Sequence, residues 1–372
     1  MMKYNYVIVG AGLAGVVIAN KLANHNENKS ILIVEKRNHI AGNCYDFVDE
    51  NGIIIHKYGP HCFHTNKEKV WKYLSQFTEW LPYEHRVLAK IQNNFVPIPF
   101  NLTSVRQCFP LIADDLVNKL IAKCGNNNKI AILELINEND KQLKELADFI
   151  YENVFLGYTI KQWGMAPLEL DKSVTSRIPV FISEDDRYFQ DKYQAIPKYG
   201  YTKMIEKMLD KNNIEVLLDT DFFDIKDKLQ YTDKLYFSGM IDEFYDYCYG
   251  QLPYRSLRFD FETLDKPCQS VVQVNYPNDY DYTRITEFIH FYKNKNYTKS
   301  VIAKEYPFQY DHSSKEPPYY PIPQKKNAEL YKKYKSINND IVFVGRLGRY
   351  SYYNMDQVVA ECLSLFDTNS TI

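Results

Sequence analysis

Arginine and aromatic side chains that could bind a phosphorylated ligand lie at intervals along the chain. Arg177 stands in the run Val-Thr-Ser-Arg-Ile-Pro-Val, and Arg284 stands in Asp-Tyr-Thr-Arg-Ile-Thr-Glu. A guanidinium group binds phosphate through two parallel hydrogen bonds, so two arginines that converge on one pyrophosphate would hold it well. Tyr158 and Trp163 flank a predicted helix end, and Tyr188 follows them. From the sequence alone an arginine is more often a surface charge than a ligand-binding group, and the aromatic residues could be core packing.

Two histidines, His61 and His64, lie three residues apart after a Gly59-Pro60 turn. Zinc is disfavoured because no other clustered ligands accompany them, and we predict no metal site. The alternatives are hydrogen-bonded histidines in a turn, or imidazoles that tune the charge of a cofactor or contact a substrate. The sequence has no G-x-S-x-G motif and no recognisable cysteine nucleophile, so it does not predict covalent catalysis by a protein side chain.

The N-terminal stretch, residues 6–43, predicts the element that organises these groups. An apolar strand, Tyr-Val-Ile-Val, leads into the turn Gly10-Ala-Gly12-Leu-Ala-Gly15, a helical segment follows, and a second apolar strand ends at Glu35. The first glycine permits a tight turn, the second lets the backbone approach a pyrophosphate, and the third lets the helix pack on the strand. Phosphates bind well at such a helix N-terminus, and Glu35 can accept hydrogen bonds from ribose hydroxyls. The whole pattern predicts dinucleotide binding.

Two further features favour FAD over NAD as the dinucleotide. Lys36 opens a segment that runs to Gly42 and Asn43, and a glycine turn here suits a second close approach to a long cofactor. Near the end of the chain, Asp-Ile-Val-Phe-Val-Gly at 340–345 reads as a buried strand, and a helix is predicted from Met355. A C-terminal strand, glycine and helix that return to the first domain suit a flavin, whose isoalloxazine lies far from the adenine.

The composition is that of an ordinary globular protein of 372 residues. The net charge of −2 leaves no basic excess to meet phosphates, which argues against nucleic acid as a partner. No apolar run is long enough to span a bilayer, and no signal peptide is recognisable. Seven cysteines without a C-x-x-C pair read as reduced thiols. These features predict a cytoplasmic protein without membrane insertion.

The rest of the chain predicts a helical insertion and a second sheet. Residues 85–100 alternate like a β-hairpin, 104–162 show apolar spacings of three and four, and 271–275, 285–291 and 300–306 read as strands. The predicted fold class is α/β: a Rossmann-like FAD-binding domain with a helical insertion domain and a mostly antiparallel sheet domain. The predicted boundaries are 1–80, 195–260 and 335–372 for the FAD-binding domain, 101–165 for the helical substrate or dimerisation domain, and 81–100, 166–194 and 261–334 for the sheet domain.

Over essentially its full length, the chain resembles the prokaryotic UDP-galactopyranose mutase family. The most family-specific stretches are Ser-Gly-Met-Ile-Asp-Glu-Phe at 238–244 and Tyr-Arg-Ser-Leu-Arg-Phe at 254–259. Many stretches in the right order carry the resemblance, and they lie at 31–43, 56–65, 157–164, 177–188, 193–209, 239–259, 282–287, 319–321 and 343–357.

The resemblance implies an enzyme that interconverts UDP-galactopyranose and UDP-galactofuranose, supplying galactofuranose for cell-surface polysaccharide. In this family FAD acts in its reduced form, which implies an external reductant, and flavin N5 forms a covalent adduct with the anomeric carbon without net redox change. A homodimer is also implied. Arg177 and Arg284 match the pyrophosphate-binding arginines, and His61 joins them in the implied catalytic set. The implied substrate-binding residues are Tyr158, Trp163, Tyr188, Asn275, Tyr320, Tyr352, Asn354 and His85. The cofactor-binding residues are expected to be Gly10, Gly12, Leu13, Gly15, Glu35, Lys36, Gly42, Asn43, His61, His64, Arg346, Asn354, Met355 and Gln357.

Two positions depart from the family pattern. Asn354 stands where related proteins carry Asp, and His85 stands where an Asn near the sugar is expected. These changes leave the sugar open, and UDP-N-acetylgalactosamine is an alternative or additional substrate. Two other protein classes share this kind of N-terminal domain: FAD oxidoreductases such as amine oxidases, and Rab escort or dissociation-inhibitor proteins that use no flavin. The paired arginines, Trp163 and the tyrosines suit a nucleotide diphosphate better than an apolar amine, and a yellow purified protein would exclude the escort type.

Overall fold

The structure, a computed structural model, describes residues 1–171, 179–292, 297–313, 316–337 and 340–367. All four residues of the strand Ile31–Val34 are buried, as expected of a parallel sheet that is covered on both faces. The predicted Rossmann-like domain is thereby confirmed. The sheet has five parallel strands, in the order Ile214–Leu217, Ile31–Val34, Met2–Val9, Leu229–Phe237 and Ile341–Phe343.

Helices cover one face of this sheet, and phenylalanines cover the other. The helix Leu13–His25 buries nine of its residues. The helices Tyr201–Leu209 and Met355–Ser364 share the same hydrophobic core. On the opposite face, Phe222 and Phe237 have ring centroids 5.9 Å apart within a second apolar cluster. Both faces of the sheet are therefore covered by apolar side chains. A ligand can bind instead at the edge of the sheet formed by the carboxyl ends of the strands.

A second sheet of seven strands is mostly antiparallel, as predicted, with one parallel pairing between Gln273–Asn275 and Val87–Ile91. The predicted hairpin at 85–100 is present. The predicted strand at 285–291 is wrong in its second half, because the strand ends at Glu287 and a 3₁₀ turn, Phe288–His290, follows. Phe288 turns into the core there and is fully buried. The strand order is Pro318–Pro321, Tyr254–Leu264, Ser300–Gln309, Arg284–Glu287, Gln273–Asn275, Val87–Ile91 and Asn94–Ile98.

Helices form the predicted insertion between the two sheets. The Asn101 side chain accepts a hydrogen bond from the Ser104 backbone N–H and caps the first helix. Asp140 accepts from the N–H groups of Gln142 and Leu143 in the same way. The helices are Leu102–Cys108, Ala113–Cys124, Ile132–Leu135, Lys141–Ile150 and Gly157–Trp163, with a π-helical turn at Tyr151–Leu156.

Shorter elements join these layers. A three-stranded sheet has the order Phe63–Thr65, Tyr193–Pro197 and Trp80–Pro82. The strand Tyr254–Leu264 crosses the predicted domain boundary at residue 260 and lies in the seven-stranded sheet along its whole length. The division into three domains stays a prediction. The remaining elements are Gly42–Cys44, Asp46–Val48, Ile54–His56, Glu68–Leu74, Lys129–Ile130, Pro167–Glu169, Val180–Phe181, Phe222–Ile225, Lys226–Lys228, Ile241–Phe244, Lys325–Lys335 and Gly345–Gly348. No helix in the described ranges is long and apolar enough to cross a membrane.

Asp46 caps a helix that begins far from it in the chain. Its carboxylate accepts hydrogen bonds from the N–H groups of Tyr201 at 2.6 Å and Thr202 at 2.9 Å. Gly200 stands at the N-cap, and a Cβ there would lie 2.7 Å from this carboxylate. A distant side chain thus replaces the usual N-cap residue and ties the hairpin at 46–56 to the first sheet.

We expect Asp46→Ala to lower the free energy of unfolding by about 1–3 kcal/mol, because two buried N–H groups lose their acceptor. Asp46→Asn keeps one acceptor oxygen and should cost less. Urea denaturation of both variants measures the difference, with the exposed Asp227 changed to Ala as the control. Equal stability of Asp46→Ala and Asp227→Ala would contradict the capping role.

Candidate active site

A cavity of about 680 Å³ opens at the carboxyl ends of the parallel strands. Met2–Val9 is the central strand, and the chain places later strands on both sides of it, so the strand order reverses here. Open α/β sheets bind ligands in the crevice at such a switch point. Of the residues predicted to bind the cofactor, the cavity is lined by Gly10, Gly12, Leu13, Glu35, Lys36, Gly42, Asn43, His61, Arg346 and Met355. The first sheet therefore gathers most of the predicted cofactor residues around one elongated space.

Two glycines make close approaches that no other residue could make. A Cβ on Gly15 would lie 2.0 Å from the carbonyl oxygen of Gly10, so the helix can pack on the strand only with glycine here. Gly42 has a φ of +54°, and its Cβ would lie 2.8 Å from the Cα of Gly12. Ala41 also donates its backbone N–H to the carbonyl oxygen of Ala11 at 2.9 Å. The second glycine turn thus lies directly against the first, and the predicted close approach of this turn to a dinucleotide stays a prediction.

Glu35 forms hydrogen bonds with the first glycine turn and with the segment that leads to the second. Its carboxylate accepts from the backbone N–H of Ala11 at 2.7 Å and from that of Arg37 at 3.0 Å. Each carboxylate oxygen keeps a further lone pair for a ligand hydroxyl. Lys36 lies beside the cavity with its ammonium 3.4 Å from Asp221. This geometry supports the predicted ribose contact of Glu35.

Arg37 is a cavity residue that sequence reasoning missed. Its guanidinium lies over the ring of Tyr58 at 4.3 Å, and its Nη2 donates to Oδ1 of Asn43 at 2.9 Å. Its Nη1 is buried and has no hydrogen-bond partner among the described residues. A buried charged donor is rarely left unsatisfied unless a ligand completes it. Its position two residues after Glu35 is the only signal for it in the sequence.

We expect Arg37→Met to weaken FAD binding by ~10–100-fold, because one charge-assisted hydrogen bond of about 1.5–3 kcal/mol is lost while the stacking volume is kept. Quenching of flavin fluorescence during titration of apoprotein measures the affinity. The control is Arg106→Met, which removes an exposed cation from a helix of the insertion. Unchanged affinity of Arg37→Met would show that its free Nη1 meets no cofactor group.

A second cavity of about 180 Å³ adjoins the first. His61, at the junction, places its Nδ1 2.8 Å from the carbonyl oxygen of Gly59. A carbonyl only accepts, so Nδ1 carries the proton and Nε2 is an acceptor. Burial lowers the pKa of His61 to about 3, which keeps the ring neutral. The residues that line both cavities are Asn43, Tyr58, His61, Tyr319, Arg346 and Met355.

Arg346 and a helix N-terminus bring positive charge to this junction. Arg346 donates to the carbonyl oxygen of Tyr353 at 2.6 Å and lies 4.9 Å from the ring of Tyr320. The helix Met355–Ser364 starts here, and Gln357 accepts from the backbone N–H of Asn354 at 2.8 Å. Gln357 therefore belongs to the helix cap, whereas Asn354 and Met355 line the second cavity.

Arg284 enters the second cavity with its charge held by Glu305. The strand register places the two residues opposite each other, and Nε and Nη2 of Arg284 both lie 2.7 Å from one carboxylate oxygen. Burial alone would lower the pKa of Arg284, but the Glu305 carboxylate more than offsets this and the pKa is raised well above its usual value. Arg284 therefore stays charged with its remaining N–H groups available. Glu305 was not predicted, because only the register of two strands reveals it.

The predicted aromatic residues surround this arginine. Trp163 and Tyr320 each meet the ring of Tyr352 edge-on, at 5.3 and 5.1 Å. Tyr188 and Tyr352 line the cavity. Burial raises the pKa of Tyr158, and the charge of Arg284 acts on it in the opposite direction. Tyr188, Tyr320 and Tyr352 thus line the same cavity as the Arg284 cation.

Three of the predicted site residues stand differently. Arg177 lies outside the described residues. Asn275 is buried and accepts from Gln273, which itself lines the cavity. His85 lies 3.0 Å from the hydroxyl of Tyr83 and also bonds Gln273, and burial lowers its pKa to about 3. Its ring is therefore occupied by protein partners, and a direct contact with sugar stays a prediction. Among the described residues no three metal-binding side chains cluster.

Comparison with known proteins agrees with this geometry. The profile of the UDP-galactopyranose mutase family matches residues 153–352, and that of NAD(P)-binding Rossmann-like domains matches residues 8–77. The chain is 40% identical over 373 residues to a probable UDP-galactopyranose mutase of Klebsiella pneumoniae, covering 99% of this chain and 95% of the relative. It is 36% identical over 378 residues to the dTDP-fucopyranose mutase of Escherichia coli, covering 98% of each. A crystal structure of reduced UDP-galactopyranose mutase shares the fold, with a TM-score of 0.73 at 15% identity over 99% of this chain and 94% of that one.

Proposed function

This chain belongs to the UDP-galactopyranose mutase family, and from that premise we propose that it interconverts UDP-galactopyranose and UDP-galactofuranose with a flavin cofactor. The observation that carries the proposal is the buried Arg284–Glu305 pair, which holds a fixed cation in a tyrosine-lined cavity next to a dinucleotide cavity. An enzyme for an apolar substrate has no use for such a cation, whereas a leaving pyrophosphate needs it.

FAD fits the residues of the first cavity. The glycine turns leave room for its pyrophosphate, Glu35 offers lone pairs to its ribose, and the unpartnered Nη1 of Arg37 offers a donor. When bound in its reduced form, FAD supplies the nucleophile, its N5 atom, for the anomeric carbon. His61, neutral and with an acceptor nitrogen, stands where the two cavities meet.

Positive charge at the junction suits a reduced flavin. Arg346 lines both cavities, and no carboxylate pairs with it in the described part of the chain. The N-terminus of Met355–Ser364 adds its partial positive charge, a contribution of ~0.3–1 kcal/mol and up to ~2 kcal/mol when partly buried. Both would favour the anionic reduced form over the neutral oxidised form, and so make the nucleophile available.

The remaining side chains act on the substrate. Arg284 would bind the pyrophosphate as UDP separates from the sugar, with Arg177 as the second arginine implied by the resemblance. Tyr188, Tyr320 and Tyr352 would donate hydroxyl hydrogens to phosphate oxygens. Burial raises the pKa of Tyr320 to about 12, so its hydroxyl keeps the hydrogen. The role of each group is to bind and to stabilise charge, which agrees with the lack of a protein nucleophile.

One relative suggests a second class of substrate. The dTDP-fucopyranose mutase of Escherichia coli is as fully covered by this chain as the galactose enzyme, so a dTDP-6-deoxysugar is the second candidate, and UDP-N-acetylgalactosamine remains a third. We further propose a homodimer, an external reductant, a cytoplasmic location and a role in supplying galactofuranose to cell-surface polysaccharide. The exposed Leu111 and Ile112 of the insertion would suit a subunit contact.

The test is turnover of UDP-galactofuranose by purified protein, with and without dithionite, followed by chromatography of the nucleotide sugars. Conversion to UDP-galactopyranose only with reduced flavin would support the proposal. Conversion of dTDP-fucofuranose or the 2-acetamido sugar alone would assign the same ring chemistry to another substrate. A yellow, dithionite-bleachable protein that converts none of them would refute it, and oxidation of an amine would then be tested.

A further inference from the structure

His64 and Asp191 form a hydrogen-bonded pair at the second cavity. Nδ1 of His64 lies 2.9 Å from Oδ2 of Asp191, although the two residues are 127 positions apart in the chain. The other carboxylate oxygen of Asp191 accepts from Nδ2 of Asn66 at 2.8 Å. The hydrogen bond from His64 lowers the pKa of Asp191, so the carboxylate is ionised at neutral pH. An ionised carboxylate only accepts, and Nδ1 of His64 therefore carries a proton.

The ring of His64 is held in one orientation with its second nitrogen free. Phe189 stacks on it with centroids 3.6 Å apart and planes 12° from parallel. Both residues line the second cavity. No described residue hydrogen-bonds Nε2 of His64, so this nitrogen is available to a ligand in the cavity. A carboxylate on one nitrogen and a free lone pair on the other is the arrangement of a general acid–base histidine.

The other histidines around this cavity cannot do the same. Burial lowers the pKa of His56, His61 and His85 to about 3 in each case, so they stay neutral throughout the physiological range. The hydrogen bonds that they make go to a backbone group, a tyrosine hydroxyl or a glutamine, and none goes to a carboxylate of a described residue. Of these histidines, His64 is the one with a carboxylate that can stabilise its protonated form.

Conversion of a pyranose into a furanose needs a proton transfer that the residues discussed so far do not provide. The C1–O5 bond breaks, a C1–O4 bond forms, and the proton of the C4 hydroxyl ends on O5. No electron is gained or lost by the sugar. A group that takes a proton from O4 and returns one to O5 serves both steps, and the reverse reaction uses the same group in the opposite order.

We propose that His64 is this acid–base residue and that Asp191 is its positioning residue. The proposal rests on the proposed function. Charged and titratable groups face the pair from several elements: Lys129 acts on Asp191, His85 interacts electrostatically with His64, and Arg284 lines the same cavity. Nε2 accepts the proton from the C4 hydroxyl, the carboxylate stabilises the imidazolium, and the proton then passes to the ring oxygen.

The test compares His64→Gln with wild type, each loaded with FAD and reduced by dithionite. Glutamine keeps an N–H donor for Asp191 but takes up no proton. We expect kcat to fall by ~10²–10⁴-fold. FAD content and UDP affinity should stay at wild-type level, because His64, although expected from the resemblance to bind the cofactor, lines the second cavity and not the first. The pH profile of kcat should lose the ionisation limb of the wild type. Asp191→Asn should also lower kcat and move this limb to lower pH, because an amide does not favour the imidazolium.

His290→Gln is the matched control. His290 also pairs with a carboxylate, Glu287, at 3.1 Å, but lines neither cavity. It should keep the wild-type pH profile. If His64→Gln keeps its kcat, or loses activity with an unchanged pH profile and a lower melting temperature, the pair is structural and the proposal is overturned. Absence of conversion by the wild type, read before any variant, would refute the proposed function itself and this proposal with it.

Discussion

Arg284→Ala should lose at least ~10²–10³-fold in turnover while retaining FAD. The guanidinium is the fixed cation of the second cavity, where we propose that the substrate binds, and it does not line the first cavity, where we propose that FAD binds. Its loss removes charge stabilisation from the separating pyrophosphate and leaves cofactor contacts intact. Turnover is measured by chromatography of the nucleotide sugars with dithionite present, and FAD content by visible absorbance.

The buried Glu305 means that Arg284→Ala can also lower stability, so two further variants are needed to separate this effect from the loss of turnover. Removing one partner of a buried ion pair typically destabilises by ~3–5 kcal/mol, because the other charge is left uncompensated. Arg284→Lys keeps a positive charge beside Glu305 and should restore stability, yet it cannot span Glu305 and a phosphate through a planar group. Arg258→Ala is the control, since Arg258 lies on the same sheet with its side chain 54% exposed. If Arg284→Ala kept most of its turnover, the pyrophosphate role would be wrong.

Gly42→Val should yield a colourless protein without bound FAD. The residue has a left-handed backbone, which costs a side-chain-bearing residue about 1–2 kcal/mol, and its Cβ would lie 2.8 Å from the Cα of Gly12. The two backbone turns would be forced apart at the place where both approach the pyrophosphate. The absorbance spectrum of the purified protein and a flavin titration measure the effect, and turnover should vanish with the cofactor.

Gly52→Ala separates the close approach from the backbone cost. Gly52 also has a positive φ, +76°, but no atom lies within 4 Å of the position of its Cβ. This variant should lose some stability and keep its FAD. A yellow Gly42→Val protein, or a Gly52→Ala protein equally free of flavin, would contradict the role of the glycine contact in cofactor binding.

Local patterns in the sequence were sufficient for the first sheet and the cofactor cavity. The glycine spacing, the apolar strands and Glu35 lie within 35 residues, and each is specified by the backbone geometry of a short segment. The hairpin at 85–100 and the helices of the insertion follow for the same reason, because alternation and helical periodicity are properties of contiguous residues. The error at 288–291 also shows this limit: an apolar run predicts burial, but packing decides whether it is strand or turn.

Contacts between distant segments decided the rest. Arg284 was predicted by family resemblance, whereas its partner Glu305 depends on the register of two antiparallel strands. Arg37 becomes a candidate ligand-binding residue only because its contacts with Tyr58 and Asn43 leave Nη1 buried and without a hydrogen-bond partner among the described residues. His64 and Asp191 are 127 positions apart in the chain and form a hydrogen bond. Sequence periodicity cannot predict a contact between residues so far apart. The sequence by itself therefore determined the nucleotide-binding fold and its family, while tertiary packing, which sets burial and pairs charges, decided which side chains of that fold remain free to act.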